Sequence, residues 1–253
     1  MSTFQVNACG QNVAVEIDSR LYDPNNQSIL GPYDYFDQGA DSYLSVTLTY
    51  GKRRRAYVDE DFNRITHYRG RAGSHIIRQL VCYLASYHTR SFEIVHGTGL
   101  LVKSHLKKGI LLVGRGHSGK STLSRHLGYT IMDDDIMLMT RDTMRVTGKM
   151  GFATYRQPAT GRKYLTPLPE GEKEAKLSLV LILDKREQGG KFWDIDNTIP
   201  RRFTVLDDLP PILMDAYLKL PPIRVDAPIF RLGTRGKLPQ TVDALRDIIN
   251  QHI

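Results

Sequence analysis

The feature that most constrains the fold of this 253-residue chain is the segment 114–121, whose sequence is GRGHSGKS. It satisfies the pattern G-x-x-x-x-G-K-[ST] in full, which is the pattern of a phosphate-binding loop (P-loop, or Walker A motif). The apolar residues 110–113 precede it, and residues 121–127 have helical character. The segment therefore predicts a strand, a tight loop and a helix in that order, within an α/β domain.

Such a loop binds nucleotide phosphates mainly through its backbone. Glycines let the chain curl so that several N–H groups face one anion, and the N-terminus of the next helix adds partial positive charge. We expect Lys120 to contact the outer phosphates of ATP and the Ser121 hydroxyl to hold Mg²⁺. The residues expected to contact the nucleotide are Gly114, Gly116, His117, Ser118, Gly119, Lys120, Ser121 and Thr122.

Three consecutive carboxylates, Asp133, Asp134 and Asp135, follow the loop by about a dozen residues. They repel one another, and a metal ion or a proton relieves that repulsion. A solvated acidic turn is the alternative interpretation. Asp184 offers a second possible metal site, because it ends an apolar strand in the way that ordinary P-loop ATPases place their metal ligand. The residues alone leave Asp184 and the triple aspartate as comparable alternatives.

Composition narrows the class of partner and the cellular location. A formal net charge of +8 favours anionic partners, namely a nucleotide, a phosphorylated substrate, an acidic peptide or nucleic acid. No apolar run approaches the roughly 20 residues that span a bilayer, so we expect no membrane contact. The N-terminus lacks the pattern of a signal peptide, which predicts a cytoplasmic protein. Cys9 and Cys82 have no metal-ligand spacing and are expected to be thiols.

The chain is predicted to contain two domains. Residues 1–90 form a small β-rich domain, with strands at 13–17 and 43–50 and a helix at about 74–88. Residues 91–253 form the P-loop domain. We predict further strands and one helix there, at 92–95, 100–102, 130–132, 177–183, 228–232 and 239–252. Residues 145–176 show little periodicity, which predicts a long loop suited to recognising an acceptor.

Residues 96–135 resemble HPr kinase/phosphorylase and its relatives, which are P-loop kinases with a phosphoenolpyruvate-carboxykinase-like fold. The similarity rests on His96 with Gly97, on the loop, and on the aspartates that closely follow it. Later segments, at 177–183, 227–232 and 238–245, also look like the wider group, so the resemblance covers roughly residues 92–250. It implies an HPr-kinase-like domain with a mixed sheet, and an ATP- and Mg²⁺-dependent kinase that phosphorylates a hydroxyl group.

The resemblance also implies a role for individual residues. Asp134 is the expected base for the acceptor hydroxyl, and Asp135 with Ser121 are the expected Mg²⁺ ligands. His96 would orient the catalytic aspartate, and Lys120 completes the catalytic set. The family's glycine-rich signature is missing, since residues 147–152 do not match it. The implied acceptor is therefore a serine of some other peptide or protein, or a small-molecule hydroxyl.

Two functions from other classes remain open at this point. One is a nucleic-acid-processing NTPase or polynucleotide kinase, favoured by the basic charge and the basic run at 51–55. The other is a regulator that binds nucleotide without transferring phosphate. Homo-oligomers are possible by analogy with the fold. The residues predicted to contact an anionic acceptor or the leaving diphosphate are Arg201, Arg202, Arg231, Arg235 and Lys237.

Overall fold

The computed structural model describes residues 2–8, 11–17, 43–51, 57–58, 64–68, 79–80, 82–84, 86–87, 90, 92–102, 107–141, 144–148, 152–156, 163–167, 174–205, 209–236 and 238–253. The chain divides into two compact units. The first comprises Met1–Phe92 with Asp208–Lys219, and the second comprises Glu93–Asp207 with Leu220–Ile253. The predicted domain boundary between residues 90 and 91 stays a prediction.

The strands, in chain order, are β1 (Ser2–Ala8), β2 (Gln11–Ile17), β3 (Tyr43–Gly51), β4 (Tyr57–Val58), β5 (Arg64–Tyr68), β6 (Phe92–Val102), β7 (Lys108–Val113), β8 (Thr130–Asp133), β9 (Ile136–Thr140), β10 (Arg145–Gly148), β11 (Phe152–Arg156), β12 (Lys163–Pro167), β13 (Glu174–Gln188), β14 (Phe192–Ile195), β15 (Thr198–Ile199), β16 (Ile223–Arg224) and β17 (Ile229–Arg235). The helices are α1 (Lys120–Leu127), α2 (Pro211–Leu218) and α3 (Leu238–His252), and a 3₁₀ turn spans Arg201–Phe203. Residues 79–80, 82–84 and 86–87 are also helical. None of the helices described combines the length and the apolar character needed to cross a bilayer.

The first unit contains a five-stranded sheet in the order β1-β2-β3-β5-β4. The predicted strands at 13–17 and 43–50 are confirmed within β2 and β3. The predicted helix at 74–88 is confirmed for the helical residues between 79 and 87, and residues 74–78 lie outside the described part of the chain. The buried rings of Tyr83 and Tyr217 pack edge to face, with centroids 4.9 Å apart. The Tyr217 hydroxyl donates to the Tyr83 carbonyl oxygen, which satisfies its polar end.

Among the described residues of the second unit, the main sheet has eight strands. Its order is β10-β9-β6-β7-β13-β17-β14, and β8 pairs with β6 outside this path. β7 pairs antiparallel with β6 on one side and parallel with β13 on the other. The mixed sheet and the mixed α/β fold class are thus confirmed. Because both faces of β7 are covered, its residues form a continuous apolar run rather than an alternating one.

Side chains of β7 alternate between two apolar layers. Ile110 and Leu112 pack in the layer that contains α1 and α3, while Leu111 and Val113 pack in the layer on the opposite face. Burying one such side chain contributes roughly 1.5–3 kcal/mol relative to leaving it exposed. The two layers therefore fix the end of β7, where the GRGHSGKS loop begins.

The prediction of two short strands at 92–95 and 100–102 is wrong, because β6 is one continuous strand. Glycine weakens a strand pattern, and Gly97 and Gly99 interrupt the apolar sequence here. The structure shows why Gly97 is needed. A Cβ atom at this position would lie 2.7 Å from the Leu112 carbonyl oxygen on β7, so β6 and β7 approach too closely for any side chain.

The prediction of one long loop over 145–176 is also wrong. This region contains β10, which pairs with both β9 and β13, and an antiparallel hairpin formed by β11 and β12. These strands have four or five residues each, which is too short for a clear period. The predicted strands at 110–113, 130–132, 177–183 and 228–232, and the helix at 239–252, are confirmed.

Candidate functional site

The loop that follows β7 is curled tightly against the neighbouring strand. A Cβ atom at Gly114 would lie 2.8 Å from the Leu183 carbonyl oxygen on β13, so glycine is required at the start of the loop. The Ser118 N–H donates to the Arg115 carbonyl oxygen at 3.1 Å and closes a turn. His117 within that turn has a left-handed φ of 62°. The predicted strand, curled loop and helix are therefore all present.

Polar groups are buried inside this loop. Lys120 is 7% exposed, and its Nζ donates to the carbonyl oxygens of Gly114 at 2.7 Å and Arg115 at 3.4 Å. The buried Ser118 hydroxyl has no hydrogen-bond partner within the described residues. A buried polar group left unsatisfied costs about 1–3 kcal/mol, which a phosphate oxygen bound there would recover. α1 begins at Lys120 without a side-chain cap, so its first N–H groups can also face an anion.

The three consecutive aspartates lie at the end of β8 and in the turn to β9, and they are buried, with exposures of 0%, 3% and 6%. Thr98 Oγ1 donates to Asp134 Oδ1 at 2.6 Å, and the Asp134 N–H donates to Asp133 Oδ1 at 2.8 Å. His96 Nε2 lies 3.5 Å from Asp135 Oδ1, whereas the resemblance placed His96 beside Asp134. Buried charges persist only with such partners. The alternative of a solvated acidic turn is therefore wrong.

β6 connects the aspartates with the loop. The Gly97 N–H donates to the Asp135 carbonyl oxygen at 3.2 Å, and Gly97 is the register partner of Val113, the last residue of β7. Neighbouring strands lie about 4.8 Å apart, which places the Asp135 backbone about 10 Å from the end of β7. The fold thus brings the carboxylates and the loop close together, where the segment at Asp135, β6 and β7 lie side by side.

The oxygen donors at this end fit a hydrated Mg²⁺ ion. Mg²⁺ in nucleotide sites usually takes one or two protein carboxylates and completes its shell with phosphate oxygens and water. The predicted ligands are Asp135, in the buried cluster, and Ser121, which is half-buried in the first turn of α1. No three His, Cys, Asp or Glu side chains of the described residues are grouped to hold a metal by themselves. An ion shared with nucleotide phosphates needs no such group.

The carboxylate of Asp184, the alternative metal ligand, accepts hydrogen bonds from an arginine side chain and from a backbone N–H group. Its Oδ2 accepts from Arg231 Nε at 3.1 Å and from Arg231 Nη2, and its Oδ1 accepts the Arg186 N–H at 2.9 Å. Burial of the carboxyl group raises its pKa. The Arg186 N–H and the Arg231 guanidinium outweigh that effect, so the pKa of Asp184 lies below its ordinary value. A metal ion at Asp184 would have to compete with Arg231 for the carboxylate.

A cavity of about 290 Å³ lies beside the loop and the end of β13. Its wall contains five arginine and lysine side chains, one histidine and one carboxylate. The lining residues are Arg115, Gly116, His117, Ser118, Leu183, Asp184, Lys185, Arg186, Arg202, Phe203 and Arg231. Clefts lined mainly by one sign of charge concentrate ions of the opposite sign. This cavity therefore attracts anions next to the P-loop.

A buried ion pair supports one wall of the cavity. Glu93 and Arg201 are 4% and 5% exposed, and they form two hydrogen bonds, of 2.6 and 3.1 Å. Arg201 Nε also donates to the Pro221 carbonyl oxygen at 2.7 Å. The prediction that Arg201 contacts an anionic ligand is wrong, because Glu93 already neutralises its guanidinium. Its neighbour Arg202 lines the cavity instead.

The predicted site residues fall into two groups. The first, Gly114 to Thr122, forms the loop and the first turn of α1. The second joins His96 with Asp135 and adds Thr98, a residue that was not predicted from the sequence. Strand periodicity could have indicated Thr98, since side chains two residues apart, such as His96 and Thr98, share a face of β6.

The other basic residues proposed from the sequence differ in their positions. Arg231 lines the cavity, Arg235 lies outside its lining and Lys237 lies outside the described residues.

Comparisons with known proteins place few limits on the function. No family model matches the chain, and no curated protein is significantly similar in sequence. Among solved structures, one weak match is "Structure of the Hpr(Ser) kinase/phosphatase from Coxiella burnetii", with a TM-score of 0.36 and 17% sequence identity. The match covers 63% of this chain and 99% of that one. At this level of similarity, the function has to be argued from the site itself.

Proposed function

We propose that this chain is an ATP-dependent phosphotransferase with an HPr-kinase-like P-loop domain, which transfers the γ-phosphate of ATP to a hydroxyl group. The proposed acceptor is a serine of a peptide or protein, or a small-molecule hydroxyl. The observation that carries the proposal is the buried Asp134, held by Thr98 and joined through β6 to the strand that enters the loop. A P-loop alone binds nucleotide, whereas transfer to a hydroxyl also requires an oriented base.

In the proposed reaction, the loop holds the phosphates and the aspartate cluster acts on the acceptor. Backbone N–H groups around Ser118 and Gly119, together with the Lys120 ammonium group, bind the phosphate oxygens. Asp134 takes the hydroxyl proton as the acceptor oxygen bonds to the γ-phosphorus, while the bond from that phosphorus to the bridging oxygen of ADP breaks. The Thr98 hydroxyl keeps the Asp134 carboxylate in one orientation.

The remaining members of the cluster are assigned to the metal. Mg²⁺, when bound through Asp135 and Ser121, neutralises charge on the phosphate oxygens. His96 is proposed as a positioning residue, since its Nε2 lies beside Asp135 Oδ1. Asp184 is assigned to holding Arg231 at the cavity wall, because both of its carboxylate oxygens bind protein donors.

The test uses γ-labelled ATP with Mg²⁺ and a cell extract separated into protein, small-molecule and nucleic-acid fractions. Wild type should label one fraction, and the fraction identifies the acceptor class. Asp134→Asn should bind ATP but transfer label about 10²–10⁴-fold more slowly, the usual contribution of a general base. Asp194→Asn, an exposed carboxylate on β14, is the charge-matched control and should behave as wild type. Near-wild-type transfer by Asp134→Asn would remove that residue from the base role.

The same assay separates the two alternative functions. Label in the nucleic-acid fraction, with binding that weakens steeply as salt rises, would support a polynucleotide kinase, the class favoured by the net charge of +8. Tight ATP binding without transfer to any fraction would support a regulator that binds nucleotide.

A further inference from the structure

Positive charge exceeds negative charge in the lining of the cavity beside the P-loop. Arg115, Lys185, Arg186 and Arg202 line this cavity, and none of them forms a close ion pair within the described part of the chain. The one carboxylate in the lining, Asp184, binds Arg231 and also attracts Arg186. Like charges held around one space repel one another, and an anion in that space relieves the repulsion. The cavity is therefore complementary to an anionic group.

The loop side of the cavity, with Gly116, His117 and Ser118, is also where nucleotide phosphates are expected. A P-loop holds those phosphates with its backbone N–H groups and its lysine, here Lys120, and three of the four cations belong to other elements. Arg115 belongs to the loop, Lys185 and Arg186 to the end of β13, and Arg202 to the 3₁₀ turn. The buried pair of Glu93 and Arg201 fixes that turn. The ion pair next to Arg202 therefore fixes the backbone that carries Arg202 at the cavity wall.

The cavity spans the end of β7. Its wall at the end of β13 is next to β7 on one side, and β6 with Thr98 is next to β7 on the other. Its wall at Arg202 and Phe203 lies closer to β6, because the His96 N–H donates to the Thr204 carbonyl oxygen at 2.8 Å. β6 and β13 are two strand spacings apart, about 10 Å. An acceptor that bound its anionic group at the β13 wall would carry that group about 10 Å from its hydroxyl. This is the length of about three extended residues.

We propose that the cavity binds an anionic side chain of a peptide acceptor, about three residues from the hydroxyl that receives phosphate. The proposal rests on the proposed kinase function. The excess of positive charge favours a doubly charged phosphoserine over glutamate, and glutamate over a neutral residue. Arginine forks also match the geometry of phosphate oxygens.

The lining favours a peptide over a single-stranded nucleic acid. Proteins that bind single strands stack the bases on exposed aromatic faces. Phe203, the aromatic residue of the lining, is 8% exposed, and the Arg202 guanidinium lies 4.9 Å from the centre of its ring. The cavity therefore offers charge without a stacking surface.

The test measures peptide binding by fluorescence anisotropy on the full chain, saturated with Mg²⁺ and a non-hydrolysable ATP analogue. Three peptides share one acceptor serine and carry phosphoserine, glutamate or alanine three residues away. Each peptide is made in two versions, with this residue before or after the serine. Arg202→Gln and Arg186→Gln each remove one exposed cavity cation. Arg224→Gln removes an exposed arginine of β16 outside the cavity and serves as the matched control.

We expect wild type and Arg224→Gln to bind the phosphoserine peptide most tightly, the glutamate peptide less tightly and the alanine peptide least. Each cavity variant should weaken the phosphoserine peptide about tenfold, the usual value of one charge-assisted hydrogen bond, and leave the alanine peptide and the ATP analogue unchanged. Equal affinity for the three peptides, or an unchanged preference in Arg202→Gln, would overturn the proposal. The same titration without the ATP analogue is the comparison, and a preference that appears only there would also overturn the proposal, because it would assign the cavity to the nucleotide.

Transfer of label from γ-labelled ATP to the same peptides separates this proposal from the proposed function. Equal transfer to all three peptides would keep the kinase function and reject the anion site. Graded binding that depends on Arg202, without any transfer, would keep the anion site and reject the kinase function.

Discussion

Replacing Glu93 with glutamine should destabilise the second unit strongly. Glu93 accepts two hydrogen bonds from Arg201 and also pairs with Arg141, whose side chain is 42% exposed. The glutamine variant leaves the Arg201 guanidinium, 5% exposed, without a compensating charge. Breaking a buried pair from one side costs about 3–5 kcal/mol of unfolding free energy. With a urea m-value of about 2–3 kcal/mol/M, the midpoint should fall by roughly 1–2 M.

The assay is urea unfolding followed by tryptophan fluorescence. The chain has a single tryptophan, Trp193, which lies in the second unit, so the signal reports on that unit. The matched control is Glu174→Gln, which removes the pair between Arg145 and a glutamate whose side chain is 48% exposed. Solvent-exposed pairs contribute about 0–1 kcal/mol, so this variant should unfold near the wild-type midpoint. A Glu93→Gln midpoint equal to that of the control would refute the argument from burial.

Three further predictions follow from the site. Thr98→Val should lower turnover more than ATP affinity, because the Asp134 carboxylate loses the hydroxyl that orients it, and steady-state kinetics beside ATP titration checks the split. Gly97→Ala should lower both stability and turnover, since its Cβ would lie 2.7 Å from a β7 carbonyl oxygen; wild-type values of both would contradict the close packing. Because the folded pKa of Asp184 is lowered, its carboxylate stabilises the fold above the unfolded pKa, and this stabilisation is lost as pH falls through the folded pKa. The difference in unfolding free energy between wild type and Arg231→Gln should therefore be complete at neutral pH and shrink below about pH 4, and a pH-independent difference would reject the pairing.

The sequence predicted the centre of the second unit well because local signals coincide there. The apolar residues 110–113, the glycine-rich loop and the helical residues 121–127 agree with one another, and β7, the loop and α1 follow that order. The strand at 177–183 and the helix at 239–252 carry equally clear periods. In these segments, the local preference and the buried position in the fold require the same residues.

The remaining features depend on contacts between distant parts of the chain. Glu93 and Arg201 are 108 residues apart, and charged residues are ordinarily exposed, so nothing local marks them as a buried pair. The role of Thr98 depends on which strand lies beside β6, and the pairing of Asp184 with Arg231 depends on the neighbour of β13. The anion-attracting cavity collects residues from four elements, namely the loop, β13, the 3₁₀ turn and β17. The sequence could therefore propose Arg202 and Arg231 but could not separate them from Arg201.

The central claim is that the GRGHSGKS loop binds nucleotide phosphates. Isothermal titration calorimetry of a non-hydrolysable ATP analogue with Mg²⁺ tests it most directly, with Lys120→Ala beside wild type and Lys191→Ala, an exposed lysine outside the loop, as the matched control. We expect one site per chain in wild type and in the control, and an affinity at least about tenfold lower in Lys120→Ala, since charge-assisted hydrogen bonds to phosphate are lost. Equal affinity in all three proteins, or no binding to wild type, would contradict it.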